Sequence, residues 1–506
     1  MTATQSGIAC AAPMSVRARS GCSTIECVVD SRQERTITCS PPDLRGRSVV
    51  RSERRSRLWN HLPHHLGLVV AAMAAGALMM AVVPAAYAST YERRPVLFVH
   101  GVESAGSNFA SQEMRFESNG YPHGWVEALD YNSLGAAAQN YNGEVEEQIE
   151  AAIAALKQRT GKSQVDVVGH SEGTKVMYHY LAESPKAAEH RESVAAYVNI
   201  DGQEKNPGVR TLAVWAERSG PTGPEGRHME GAENVTMPDM THVQSATSSQ
   251  TFVQIFKFFR NRLPKHDIVP QKSVQLAGKA LEFPQNTGLA GDTVEVWPVN
   301  FNGERATKTP IASFSITDGS EAGGAWGPVS AKSSQRYEFA LVKPDLKTLH
   351  IYLEPFARSD YDIRLLGSIP IEEETGKFPG SSGAVMIRYK EYWGNEPGQN
   401  DELLVNGLEV CTPSLCPWQK KVNAYFAFNW EGKEESTLNE EPALSHLPFI
   451  QAAQVYIPAS EPPNAIVSYQ LNSRGGGGVR TLNIPNWDGP TNQVQIFWND
   501  FESLNF

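Results

Sequence analysis

The chain has 506 residues, room for two or three domains at ~150 residues each, and its 41% hydrophobic and 20% charged content excludes a wholly disordered polypeptide. A mean hydropathy of −0.36 excludes a polytopic membrane protein. Residues 1–88 hold 10 Arg, no Lys and 5 Asp or Glu, so the remaining 35 basic and 51 acidic residues leave a body at −16, which argues against nucleic acid as a partner and against docking on anionic membranes by charge.

The first element is a processing signal. Arg51, Arg54, Arg55 and Arg57 form a basic cluster, an apolar run follows from Leu66 to Val83, and Pro84 and Ala86-Tyr87-Ala88 complete a small-x-small cleavage pattern. Residues 51–88 therefore read as a secretory signal cut after Ala88, which makes the mature protein secreted. The competing reading is an uncleaved anchor, since 18 apolar residues just span a bilayer. Against it, Ala and Gly dominate the run and Pro84 breaks it. Residues 1–50 show no helical or strand period; they read as a start site set too early and are assigned no structure.

Residues 89–263 read as an α/β domain. Val96–Val99 is a short apolar run suited to a buried parallel strand, ending at His100-Gly101. A helix is predicted over Glu144–Leu156, with Val145, Ile149, Ala152, Ile153 and Leu156 on one face. Strands follow at Val165–Val168, Ala195–Ile200 and Thr211–Trp215, with a helix after the first of them and a weak strand at Asn234–Met237. A last helix over Thr251–Arg262 carries Phe252, Ile255, Phe256 and Phe259 and stops before Pro264. This alternation implies a mostly parallel sheet covered on both faces.

Residues 264–270 form a linker, and from 271 to 506 the pattern changes to short alternating runs such as Thr293–Trp297, Leu349–Leu353 and Gln495–Trp498. That predicts an all-β region, sandwich or barrel, with Glu372–Gly383 as a place where it splits. Arg474–Gly478 resembles a phosphate loop only superficially: no Lys-Ser/Thr and no helix follow, so a hairpin turn is expected. Cys411 and Cys416, the two cysteines of the mature chain, are expected to form a disulfide in an exported protein. No histidine lies near them, and no metal-ligand cluster is visible along the chain, so no metal and no cofactor are expected.

Gly169-His170-Ser171-Glu172-Gly173 fits G-x-S-x-G, directly after a strand and directly before a helix. In that context the central residue sits on a sharp, strained turn with its side chain lifted out of the sheet, and the flanking glycines avoid clashes. Ser171 is the candidate nucleophile. A serine hydroxyl needs a base to take its proton. His242 lies late in the domain before the last helix and fits that role; His228 reads as solvated, His179 as packing, and His170 as pointing elsewhere. The acid that orients the histidine belongs at the end of a later strand. Position alone leaves Asp201 and Glu217 equal, and puts Asp239 too close to His242. Two backbone N–H groups should hold an oxyanion, one from Glu172 and one from Val102 after His100-Gly101.

The segments FVHGVESAGSNFAS, VVGHSEGT, AYVNIDG, DMTHVQSATSSQTF and HDIVPQ together resemble the two-domain secreted lipases typified by an archaeal alkaline lipase, over most of residues 93–506. The resemblance implies an α/β-hydrolase domain followed by a β-barrel that binds lipid. It implies that the acid follows the strand after the nucleophile helix, which selects Asp201 in Asn199-Ile200-Asp201-Gly202 and leaves Glu217 as runner-up. It also implies Val102 and Glu172 as the oxyanion donors. One departure is the lid: only the Gly/Ala/Asn stretch Ser133–Gly143 separates Tyr131-Asn132 from the helix at Glu144, too little for the long helical lid of that family, while Gly220–Gly231 offers a smaller flap.

The expected activity is therefore that of a secreted serine carboxylester hydrolase, a lipase acting on acylglycerols or other long-chain esters without a cofactor, its partner an ester or lipid substrate. The alternatives are a polyester depolymerase or short-chain esterase with the same triad and, remotely, a non-catalytic lipid- or carbohydrate-binding surface protein. Trp393, Trp418, Trp430, Trp487 and Trp498 are available either to a lipid-receiving surface or to the core.

Overall fold

A computed structural model of the protein describes residues 92–501 apart from 135–140, 142, 220–226, 322, 345, 368–381, 443, 445–446, 448 and 459–464. The signal at 51–88, residues 1–50, most of the stretch at 133–143 and most of the proposed split at 372–383 lie outside the described residues, as do 220–226 of the suggested flap.

The α/β part is built on β1 (Val96–Val99), β2 (Val126–Leu129), β3 (Val165–His170), β4 (Val194–Ile200), β5 (Arg210–Arg218) and β6 (Glu233–Thr241). They pair in parallel in the order β2-β1-β3-β4-β5-β6. Alternate residues of β1 feed opposite faces. Val96 and Phe98 pack with α1 (Ala110–Ser118) and α6 (Ser249–Arg260), through Phe116, Phe252 and Phe256. Leu97 and Val99 pack with α2 (Glu144–Thr160) and α3 (Glu172–Tyr178), through Ile149, Ile153, Val176 and Met177. A strand buried on both faces needs apolar side chains at every position, which is what VLFV supplies. Two short helices complete this part, α4 (Ala187–Ser193) and α5 (Gln244–Thr247).

The β region comprises β7 (Ser273–Glu282), β8 (Thr287–Gly288), β9 (Thr293–Val299), β10 (Ala312–Ser315), β11 (Ala325–Lys332), β12 (Arg336–Val342), β13 (Thr348–Leu353), β14 (Asp360–Gly367), β15 (Gly383–Arg388), β16 (Glu402–Val405), β17 (Leu408–Glu409), β18 (Ala424–Phe428), β19 (Ile450–Gln454), β20 (Ile466–Asn472), β21 (Val479–Pro485) and β22 (Asn492–Trp498). An eight-stranded sheet, β10-β9-β12-β13-β22-β15-β18-β19, is the middle layer. The β11-β7-β14 sheet shares one core with it (Leu276, Phe339, Ile351, Leu365 and Phe497), and the β17-β16-β20-β21 sheet shares another (Met386, Leu403, Tyr469, Ile496 and Trp498). Of the two expected alternatives, the described strands form open sheets stacked face to face, a sandwich, and not a closed barrel. The middle sheet runs through both halves of the region, because β22 pairs in parallel with β13 before the split and with β15 after it. Arg474–Gly478 joins β20 to β21 as the expected antiparallel hairpin.

Trp393 and Trp498 are core residues, and Trp418, Trp430 and Trp487 are half-buried. Cys411 and Cys416 are buried in the second core as free thiols, so the expected disulfide is not formed in the structure. Packed this way they serve as small apolar side chains, and burial with the neighbouring Cys416 sulfur pushes the Cys411 thiol well up.

The stretch expected as a linker is docked. Asn119 Oδ1 accepts from the Lys265 amide at 2.7 Å, Ser118 Oγ accepts from Val269 N at 2.9 Å, and Arg115 pairs with Asp267 at 2.5 Å. Behind it, buried Asp130, just past β2, accepts from Arg364 Nε of β14 at 2.9 Å, from Lys279 Nζ of β7 at 2.9 Å and from Gly106 N at 2.9 Å. Burial would raise its carboxyl, but the two cations hold it well below the usual carboxylate range. Among the described residues no helix is long and apolar enough to cross a membrane.

Candidate active site

Ser171 joins β3 to α3 at φ 55° and ψ −123°, a conformation an L-residue adopts at a cost of order 1–3 kcal/mol. Three glycines make the turn possible. A Cβ on Gly173 would lie 2.3 Å from the Val99 carbonyl oxygen, one on Gly169 would lie 2.9 Å from the Gly173 carbonyl oxygen, and one on Gly101 would lie 2.8 Å from Ser171 Cβ. The nucleophile candidate thus sits against the end of β1, with Val102 next in chain after Gly101. Glu172 opens α3, where an amide has no partner within the helix and the helix dipole favours negative charge. Its side chain is held by Tyr141 and by Lys175 at 2.8 Å.

His242 follows β6, its side chain 13% exposed. Nε2 lies 2.9 Å from Ser171 Oγ and Nδ1 lies 2.5 Å from Asp201 Oδ2. A ring nitrogen facing a carboxylate carries the proton, which leaves Nε2 as the acceptor toward the serine hydroxyl. His170, expected to point elsewhere than the serine, donates from Nε2 to the His242 carbonyl at 2.9 Å, while its Nδ1 has no partner. Burial pushes the His170 ring down to about 3 and the His100 ring down to about 4, so both are neutral at ordinary pH.

Asp201 lies just past β4 at φ 48°, its side chain fully buried. Besides His242 it accepts from Ser219 Oγ at 2.5 Å, Ala216 N at 3.1 Å and Arg227 NH1 at 2.9 Å. Burial favours its neutral form, but the hydrogen bond and charge of His242, together with Ser219 and Ala216 N–H, outweigh it and hold the carboxyl down at about 2. Gly202 is required beside it, since a Cβ there would lie 1.9 Å from Thr174 Oγ1. Thr174 ties this turn to the nucleophile turn, donating to Ser171 O at 2.7 Å and accepting from Gln203 N at 2.6 Å. Glu217, the runner-up, accepts from Asp239 N at 2.6 Å, and Asp239 pairs with Arg218 at 3.2 Å; both stand outside the group gathered around His242. Sequence reasoning gave His170 no role and missed Thr174, Ser219 and Arg227. A histidine inside the turn motif and a threonine three residues past the serine are the local signals among these, and Ser219 and Arg227 act from a distance along the chain.

Elsewhere, Glu146 and Glu150 on α2 and His190 on α4 bring one potential ligand atom each within 4.8 Å of one another. Lys186 already lies 2.9 Å from Glu150, Ser184 donates to Glu146 at 2.9 Å, and His190 meets Glu150 at 2.9 Å, so an internal ion-pair network accounts for them.

Residues 93–200 match the class 2 lipase model, residues 272–370 match the lipase C-terminal domain model, and residues 370–502 match a further C-terminal domain model. No curated protein matches the chain in sequence. Solved structures similar to part of it include a predicted CIB-like hydrolase from Thermoplasma acidophilum (17% identity, 34% of this chain, 87% of that chain, TM-score 0.26). Others are a malate-bound thermophilic esterase from Thermogutta terrifontis (13%, 33%, 90%, 0.25) and the lin2722 product of Listeria innocua (12%, 35%, 97%, 0.24). A class 2 lipase match spanning the Ser171 turn and a lipase C-terminal domain match behind it support a lipase-family α/β-hydrolase with a C-terminal domain.

Proposed function

We propose that the protein is an exported serine carboxylester hydrolase, a lipase, with Ser171 as nucleophile, His242 as general base and Asp201 as the group that orients it. The observation that carries this reading is the unbroken hydrogen-bonded path from Asp201 Oδ2 through His242 to Ser171 Oγ, at 2.5 and 2.9 Å. His242 takes the serine proton as Oγ attacks the ester carbonyl. The amides of Val102 and Glu172 receive the oxyanion, and the imidazolium returns its proton to the departing alcohol. Water, activated by the same ring, releases the acid from the acyl-enzyme. Ser171→Ala should lower kcat on p-nitrophenyl butyrate by on the order of 10⁶ and abolish labelling by a fluorophosphonate. Near-full activity in that variant would end the reading.

Long-chain acyl esters are the favoured substrates because residues 93–200 match the class 2 lipase model and residues 272–370 match the lipase C-terminal domain model. Trp393 and Trp498 give that preference no support, since both are core. Export rests on the signal pattern of residues 51–88.

A further inference from the structure

We propose that Glu391, in the β region, is a positioning residue for His242. The inference rests on the triad reading above. The Glu391 side chain is buried just past β15, and its carboxylate grips the backbone on both sides of the histidine. Oε1 accepts from Val243 N at 2.8 Å, and Oε2 accepts from Gln244 N at 3.3 Å and from the Thr241 hydroxyl. Val243, the N-cap of α5, the short turn that starts at Gln244, makes no side-chain cap, and the acceptor for its amide comes from 148 residues further along the chain.

Glu391 is itself fixed. Its carbonyl accepts from Arg388 NH2 at 2.7 Å and from Arg474 NH1, and both guanidinium groups lie 2.6 Å from Asp401 Oδ2. Arg474 NH2 reaches back to Gln244 Oε1 at 3.2 Å. One carboxylate therefore meets three donors from residues 241, 243 and 244, while His170 and Ser245 hold the His242 carbonyl at 2.9 and 2.7 Å. A ring that must keep 2.5 and 2.9 Å contacts at its two nitrogens at once tolerates little drift of this backbone, and misplacement by about 1 Å can cost about 100-fold in rate.

An ionised carboxylate offers only acceptors, so Glu391→Gln turns an NH₂ group toward a donor and breaks part of the grip while keeping the volume. In the full chain, kcat on p-nitrophenyl butyrate should fall about 10- to 100-fold with KM within about threefold, and the rate of Ser171 labelling by a fluorophosphonate should fall by the same factor. Thr241→Val, which leaves the carboxylate and its arginines in place, should give a smaller fall in kcat, about 3- to 10-fold, and should add less than twofold in the Glu391→Gln background, because both changes act on one contact. If Glu391→Gln does not fold, Thr241→Val alone decides. A folded variant with wild-type kcat and labelling rate, or one in which KM rises while kcat holds, overturns the positioning role. That result is distinct from failure of the triad reading, in which wild-type Ser171 resists the fluorophosphonate and Ser171→Ala keeps its activity.

Discussion

Three buried titratable side chains around Ser171 are arranged so that folding itself fixes their protonation. Asp201, held down at about 2, stabilises the fold above the unfolded carboxyl value of about 3.9, and that contribution is lost as pH falls toward 2. His170 and His100, pushed down by burial to about 3 and about 4, bind protons more readily in the unfolded chain. Their contribution is complete above about pH 6.5 and is lost as pH falls through their folded values. Urea unfolding between pH 6 and pH 5 should show stability falling by about 1.4 kcal/mol per pH unit for each ring, and His100→Asn should remove one ring's share of that slope. The same values keep all three groups from titrating near neutrality, so the acid limb of kcat/KM should follow a single proton. The residues of the site that were legible in sequence are those set by local turn chemistry. Ser171 lies between two glycines that the turn demands, and Asp201 precedes a glycine that has no room for a side chain. Choosing Asp201 over Glu217 needed the family pattern, because both close a strand and only tertiary pairing brings one of them to His242.

At the level of single elements, helix α6 shows how much a good period reveals. Phe252, Ile255, Phe256 and Phe259 face the sheet, and Ser248 Oγ caps the helix by accepting from Thr251 N at 3.1 Å. Ser248→Ala should cost about 1 kcal/mol in urea denaturation with little change in kcat, since the cap lies beyond the turn that carries His242. Helix α1 shows the opposite case. Its buried face includes Ser111, Gln112 and Arg115, which bond to Thr247 O, Ala246 O and Asp267, so the apolar repeat that would mark a helix is missing. β2 escaped notice because a four-residue edge strand, VEAL, carries one alternation and little more. The short helix α4 has only Ala187 and His190 buried and leaves no apolar stripe.

Across the whole molecule, the β region supplies side chains that hold the loops of the candidate site. Asn286, after β7, donates from Nδ2 to Ser104 O at 2.8 Å and to Tyr131 O at 2.9 Å, holding the loop that follows β1. Asp130 is neutralised from the same region, and Arg364→Met, which leaves only Lys279 against that buried carboxylate, should destabilise the protein by about 3–5 kcal/mol in urea denaturation. None of these contacts could be read from the sequence, because a buried Glu, Asn or Arg in a β-rich stretch has no local signature. β22, the last of the described strands, occupies the centre of the eight-stranded sheet and sends Phe497 into one core and Ile496 and Trp498 into the other. A ribosome-bound nascent chain that still lacks this strand can close neither core, so the side chains of the β region that hold the loops of the candidate site come together only after translation has passed Trp498.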